Sequence, residues 1–211
     1  ACAGESAESR IVDLERKLDE CGGLDVACEL LGDATEGAQR IRDLVRDLLS
    51  LSRGSERSIS KLSISEVLDQ TLRLVARPLG ARAELVRDFE ARRKIEADRT
   101  RLGQVFLNLL QNAIEACAEL PERAHRITVR TRDLRAGISV EVEDTGPGVP
   151  AELRERIFAP FVTTRPSGAG TGLGLSISRR IVAEHGGTLA LVRSSDSGCV
   201  FRVELPETAR T

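Results

Sequence analysis

Three short stretches of this sequence hold residue types whose spacing could do chemistry. In "NLLQNAIEA", residues 108–116, Asn108 and Asn112 stand four apart inside an apolar run. Residues i and i+4 stack on one side of a helix, so the two side-chain amides face the same way. Asn competes for backbone hydrogen bonds and is a mediocre helix former, so a pair of them has a cost that a ligand would explain. On this segment alone they read equally as solvent-facing polar residues. In "DTGPGVP", residues 144–150, Asp144 follows an alternating stretch directly. A carboxylate at the end of a rigid element can accept a hydrogen bond from an exocyclic amine. Gly146 and Gly148 remove side chains beside it, so a flat ligand can come close. A tight turn containing an Asp reads the same way. In "GAGTGLGL", residues 168–175, Gly170, Gly172 and Gly174 precede a helical pattern. Free backbone N–H groups at a helix start make a phosphate cradle. The spacing is not that of a Walker loop, and no strand directly precedes it as in a dinucleotide-binding turn.

Between the second and third stretches lies "IFAPFVTTRP", residues 157–166. Phe158 and Phe161 would anchor the base of a mobile segment, while Thr163, Thr164 and Arg165 could reach phosphates. Such a segment has the makings of a lid.

These stretches need elements to hold them. Leu102, Val105, Phe106, Leu109, Leu110, Ala113, Ile114 and Cys117 recur at the spacing of one helical face, which predicts a helix from about Asp98 to Glu119. "RITVRTRDL" and "GISVEVED" alternate with period two and pair across a turn near Arg135 to Gly137. "KLSI" and "AELVRDF" read as strands, and Ser65 to Leu79 as a helix with Ser65 as its N-cap. Thr145 to Thr171 is loop-rich; a helix from about Leu173 to His185 and a closing hairpin, "GGTLALVRS" with "GCVFRVELP", complete the chain. Helices with mostly antiparallel strands give an α+β chain whose second part is an α/β sandwich with helices on one face.

The first part, residues 1–53, reads as entirely helical. Ile11, Leu14, Leu18 and Cys21 follow a 3-4-3 spacing, Gly22-Gly23 breaks it, and a second helix runs from about Leu24 to Arg53. Both approximate a heptad seam, as in a helical hairpin that forms a four-helix bundle with a second copy. A helical pair folded onto its own domain has the same seam. Residues 54–60 read as a linker and 61–211 as the second domain.

Composition narrows the function. The 211 residues are 41% hydrophobic and 30% charged, with a net charge of −2, which disfavours nucleic acid or an anionic membrane as main partner. No apolar run approaches the roughly 20 residues of a membrane span. The five cysteines include no CxxC pair and fit reduced thiols in a cytoplasmic protein.

The motifs "DRTRLGQVFLNLLQNAIEA", "DTGPGVP", "IFAPFVTT", "GTGLGLSIS" and the closing "GGTL…GCVFRVELP" resemble, in order and spacing, the ATP-binding catalytic domain of sensor histidine kinases. "GAQRIRDLVRDLLSLSR" resembles the second helix of their dimerisation and phosphotransfer hairpin. The resemblance implies the nucleotide fold shared with gyrases and heat-shock chaperones, ATP and Mg²⁺ as cofactors, a homodimer and a response regulator as partner. It implies that Asn112 coordinates Mg²⁺ and Asn108 helps hold metal and phosphates. Asp144 would bind the adenine amine, with Gly146 and Gly148 shaping the pocket. Phe158, Thr163, Thr164, Arg165, Gly170, Thr171, Gly172, Leu173 and Gly174 would form the lid and phosphate contacts. Relatives that hydrolyse ATP have Glu where Asn108 stands, and an Asn cannot take that proton.

The chain departs from the pattern in one large respect. The family's phosphoacceptor histidine lies on the first hairpin helix, but the two histidines here are His125 and His185. His125 reads as lying in a polar loop, and His185 at a helix end where a cation suits the dipole. The second hairpin helix, of about 30 residues, would span ~45 Å against ~24 Å for the first. With Ala1 as first residue and no methionine, the sequence reads as a fragment whose phosphoacceptor and any sensory part lie upstream; a degenerate hairpin in which Ala7-Glu8 replaces the histidine pair is the other reading. A nucleotide-gated dimer without catalysis is the alternative function. In two smaller departures, Cys199 stands where the family usually has Thr and Arg165 where Lys is frequent.

Overall fold

The computed structural model describes residues 58–79, 83–120, 124–163 and 171–208, together with Cys28, Leu30, Leu31, Gly32, Thr35 and Gly37. The chain divides into two compact units, Ala1–Arg46 and Asp47–Thr211. The described positions of the first unit are helical, and the Thr35 hydroxyl donates to the Leu31 carbonyl at 2.7 Å, one turn back. Of the seam positions only Leu30 is described, and it is helical and 62% exposed; the rest of the seam and the turn of the hairpin lie outside the described residues.

The second unit begins with strand β1 (Ile59–Ser63) and helix α1 (Ile64–Leu79). Strand β1 therefore starts inside the segment read as linker, and Ser65 sits in the first turn of α1 rather than capping it. Strands β2 (Ala83–Phe89) and β3 (Lys94–Asp98) follow, then helix α2 (Arg99–Ala118), β4 (His125–Leu134), β5 (Gly137–Asp144), a 3₁₀ turn at Ala151–Leu153, helix α3 (Gly174–Glu184), and β6 (Thr188–Ser195) with β7 (Gly198–Pro206). Five strands form one sheet in the order β2-β4-β5-β7-β6. Strand β2 runs parallel to β4 and the remaining neighbours are antiparallel. The small sheet β1-β3 stands apart from it.

Period-two alternation decides which side of the large sheet is dry. Ile127, Val129, Ile138, Val140, Val142, Val203 and Leu205 point into the core beneath the helices. Helix α2 is the central helix, packing on α1, α3, β4 and β5. Its buried residues are Leu102, Val105, Phe106, Leu109, Leu110, Ala113, Ile114 and Cys117, the same eight that the sequence marks as one face. Asp98 fixes its start: Oδ1 accepts from Thr100 N at 3.0 Å and Arg101 N at 3.1 Å, satisfying two amides that no helical carbonyl reaches.

The other side of the sheet carries alternating charges matched across strands. Arg193 and Arg130 both pair with Glu143. Arg130 and Arg132 reach Asp88 at 3.8 Å and 2.6 Å, Arg202 reaches Glu141 at 2.6 Å, and Arg126 reaches Glu84 at 3.0 Å. Each such pair is worth little alone in water, but the alternation keeps this face solvated and its charges mutually satisfied.

Candidate functional site

The alternation that buries Ile138, Val140 and Val142 also points Asp144, the last residue of β5, to the helix side of the sheet. Its residue is 4% exposed. Both carboxylate oxygens are held: Oδ1 accepts from Gly146 N at 2.9 Å and Oδ2 from the Cys199 thiol at 2.9 Å. Burial pushes the Asp144 carboxyl above the ordinary aspartate range, while the Cys199 and Gly146 donors work in the opposite direction. Burial and the neighbouring carboxylate raise the Cys199 thiol strongly, so it is a neutral donor, not a reactive thiolate.

The glycines beside Asp144 are required by protein contacts. A Cβ at Gly146 would stand 2.8 Å from that of Ala116 on α2. Gly148 has φ +76°, and a Cβ there would come within 2.1 Å of the Ser195 carbonyl. These close approaches seat the turn after β5 between α2 and the β6–β7 hairpin.

Asn108 and Asn112 are half-buried at the edge of the α2 stripe. The Asn108 amide nitrogen donates to Gly174 O at 3.2 Å and to Ser178 Oγ at 3.3 Å, which brings α2 to the start of α3. The residue at the N-cap of α3 is Leu173, with no side-chain oxygen to cap it; the Leu173 N–H instead donates to Thr171 Oγ1 at 3.2 Å. Phe161 and Gly172 both have φ +65°, and Phe161 N donates to Gly172 O at 3.0 Å. Phe161 is 74% exposed and Thr163 is exposed. Phe158 is instead an anchor: its ring meets Phe201 edge-on at 6.4 Å and lies under the Arg179 guanidinium at 5.1 Å. Thr164, Arg165 and Gly170 lie outside the described residues.

His185 stands at the end of α3, as its sequence reading has it, but His125 does not lie in a loop. His125 is the first residue of β4, not part of a loop, and is buried. His185 is also buried; its Nδ1 donates to Ile181 O at 2.8 Å, and its Nε2 accepts from Asp98 N at 3.0 Å. It ties the end of α3 to the start of α2, a role whose partner lies 87 residues away and has no local signal.

Among the described residues, no group of three or more His, Cys, Asp or Glu could hold a metal. The side-chain oxygens that α2 carries at this place are the neutral amides of Asn108 and Asn112. That donor set fits Mg²⁺, a hard cation that keeps several waters and takes its remaining ligands from nucleotide phosphates. Among the described residues no helix is long and apolar enough to cross a membrane.

A buried carboxylate at a strand end, a helix bearing two amides and an uncapped helix start meet on one side of an open sheet. This is the framework of a nucleotide-binding ATPase domain, and the chain belongs to the histidine kinase-, DNA gyrase B-, and HSP90-like ATPase family, whose profile matches residues 97–209. Within it the likeness runs to kinases. The chain is 35% identical over 181 residues to the C4-dicarboxylate transport sensor protein DctB of Rhizobium meliloti (strain 1021), covering 85% of this chain and 28% of that protein. It is 33% identical over 172 residues to the sensor histidine kinase ZraS of Escherichia coli (strain K12), covering 80% of this chain and 36% of that one. The chain thus spans about a third of the length of these curated relatives. The solved catalytic domain of histidine kinase ThkA matches 72% of this chain and 99% of its own, at 36% identity and a TM-score of 0.63. A structure of ThkA in complex with response regulator protein TrrA matches 83% of this chain and 49% of its own, at 31% identity and a TM-score of 0.68.

Proposed function

We propose that this chain is the ATP-binding and dimerising portion of a two-component protein-histidine kinase. The observation that carries the reading is the buried Asp144 carboxylate, fixed on both oxygens and placed at the C-terminal end of β5 beside α2. In this reading Asp144 accepts a hydrogen bond from the adenine amine, with Gly146 and Gly148 shaping the turn. The amide oxygens of Asn112 and Asn108 hold Mg²⁺, which when bound neutralises charge on the phosphates. The start of α3, with Gly170, Thr171, Gly172, Leu173 and Gly174, faces the phosphates. Thr163, Thr164 and Arg165 close over them from a segment anchored by Phe158. Asn108 cannot act as a base toward water, so the site holds ATP for transfer to a histidine rather than hydrolysing it. The histidine then passes the phosphoryl group to an aspartate of a response regulator, a partner class supported by the ThkA complex. The absence of a membrane-spanning helix among the described residues is compatible with a cytoplasmic site of action.

Calorimetric titration tests the nucleotide site. ATP binds one site per chain, more tightly with Mg²⁺ than with excess chelator. No heat of binding in either condition would sink the reading.

The domain proposal is residues 1–53 as a dimerising hairpin, 54–60 as linker and 61–211 as catalytic domain, with strand pairing already begun at Ile59. Ile41, Leu44, Leu48 and Leu51 supply the seam. Replacing Leu44 and Leu48 with glutamate should give monomers that still bind ATP. Light scattering that finds the unaltered chain monomeric at high concentration would overturn the dimer.

A further inference from the structure

His125 is 6% exposed and sits between the C-terminal end of α2 and the turn after β5. Its Nε2 is 2.6 Å from the Leu120 carbonyl. A carbonyl only accepts, so Nε2 carries the ring proton. Nδ1 lies 3.3 Å from the Thr145 hydroxyl, within hydrogen-bond distance of it. The same hydroxyl oxygen accepts Arg126 N–H at 2.9 Å. From the other side, Cys117 of α2 lies against the Thr145 N–H and hydroxyl. Thr145 is the covalent neighbour of Asp144. One imidazole therefore links the helix that carries Asn108 and Asn112 to the peptide that aims the Asp144 carboxylate.

We propose that His125 is a positioning residue for purine recognition: through Thr145 it fixes the Asp144 carboxylate relative to α2, and so sets the preference for a base with a 6-amino group over one with a 6-oxo group. The inference rests on the reading of Asp144 as the purine contact. A hydrogen bond to a carboxylate is directional, and a binding site loses its selectivity when its supporting groups let it drift by a fraction of an ångström. Gly146 and Cys199 hold the carboxylate oxygens, and pairing of Asp144 with Ile127 holds the end of β5 in the sheet. The Thr145 anchor adds a tie from the turn after β5 to the chain just past α2, where His125 joins it to the Leu120 carbonyl. The phosphate and metal contacts lie elsewhere on the site, so loosening this anchor weakens the amine contact selectively.

The test compares ATP with inosine triphosphate, which has an oxygen in place of the 6-amine, by competition titration and thermal melting. The proteins are the unaltered chain, His125→Leu, His125→Asn and Asp144→Asn, with Thr145→Val and Thr145→Ser probing the same link from its other end. The unaltered chain prefers ATP by about tenfold or more, the worth of one charge-assisted hydrogen bond. His125→Leu and Thr145→Val lose most of that preference by weakening ATP, with inosine triphosphate nearly unchanged. His125→Asn, whose side-chain amide can stand in for Nδ1 as hydrogen-bond partner of the Thr145 hydroxyl, and Thr145→Ser retain it. A merely structural histidine gives a different pattern: both nucleotides weaken together, or only the melting temperature falls. Either result overturns the proposal, as does an unchanged preference in both His125→Leu and Thr145→Val. If Asp144→Asn keeps the preference for ATP, the underlying assignment of Asp144 fails. If Asp144→Asn loses it while the His125 and Thr145 variants keep it, only the positioning role fails.

Discussion

Replacing Asp144 with asparagine lowers the affinity for Mg-ATP at least about tenfold and leaves the fold as stable as before, or more so. The loss follows from the contact itself, since a hydrogen bond to a charged acceptor is worth about 1.5–3 kcal/mol, or about 10- to 150-fold in affinity. The gain in stability follows from burial. The folded chain holds the Asp144 carboxyl above its ordinary pKa, chiefly through desolvation. The native state therefore binds this proton more tightly than the unfolded chain does, and the group's contribution to stability falls as pH rises through that window. Near neutral pH the ionised carboxylate is a buried charge, and a neutral amide of the same shape relieves it. Binding has the opposite pH dependence. The amine needs the ionised form, so ATP affinity declines on acidification, beginning at a higher pH than for an ordinary aspartate. The Asp144→Asn profile is flat there. Calorimetric binding curves and melting curves across pH check both halves. A variant that binds like the unaltered chain places the nucleotide elsewhere; one that loses binding only because it unfolds removes the evidence for a functional carboxylate.

Incubated alone with γ-labelled ATP and Mg²⁺, the 211-residue chain acquires no acid-labile phosphate. Transfer to histidine requires a ring nitrogen with a lone pair aimed at phosphorus and a path for in-line approach. His125 and His185 are 6% and 5% exposed. Each has both nitrogens within hydrogen-bond distance of protein groups: Leu120 O and Thr145 Oγ1 for the first, Ile181 O and Asp98 N for the second. Neither can present a free lone pair without breaking the packing around α2. Labelling should appear when a hairpin bearing an exposed histidine is supplied, either in a longer form of the protein or in a second chain. It should be lost with Asn112→Ala. Robust acid-labile labelling of the chain alone would defeat this expectation, and mutating each histidine would locate the acceptor. If no histidine-bearing hairpin is ever labelled although ATP binds, the nucleotide-gated, non-catalytic reading takes its place.

The parts legible in the sequence were those fixed by local periodicity. Helix α2 spans Arg99–Ala118 with Asp98 as its cap, within a residue of its sequence reading, because a helix lying on a sheet must bury one face at every turn. Strands β4 and β5 were legible for the equivalent reason, with period two. Strand β3 carries no such signal. It has only Ile95 and Ala97 as buried apolar positions within Lys94–Asp98, and it becomes a strand by pairing with β1, more than 30 residues earlier. The beginning of β1 was hidden for the same reason. The motif residues could be picked out, but their partners could not. Asn108 meets Ser178 across 70 residues, and nothing near either residue announces the contact. Gly146 and Gly148 read as openings for a ligand, whereas their immediate need is the approach of Ala116 and Ser195. His125 reads as a loop residue because its sequence neighbours are polar; its partners, the Leu120 carbonyl and the Thr145 hydroxyl, are set by the fold.

The hydrogen bond from Phe161 N to Gly172 O, 3.0 Å long, has a consequence in polymer terms. It closes a ring of chain whose interior is residues 162–171. The entropy of bringing the two ends together is spent when the domain folds, not when a ligand arrives. Ring closure depends on length only logarithmically, with each doubling costing about 0.6 kcal/mol. Changes in the ring's length therefore come at small thermodynamic cost, while the Asn108 amide keeps the entry to α3 against α2.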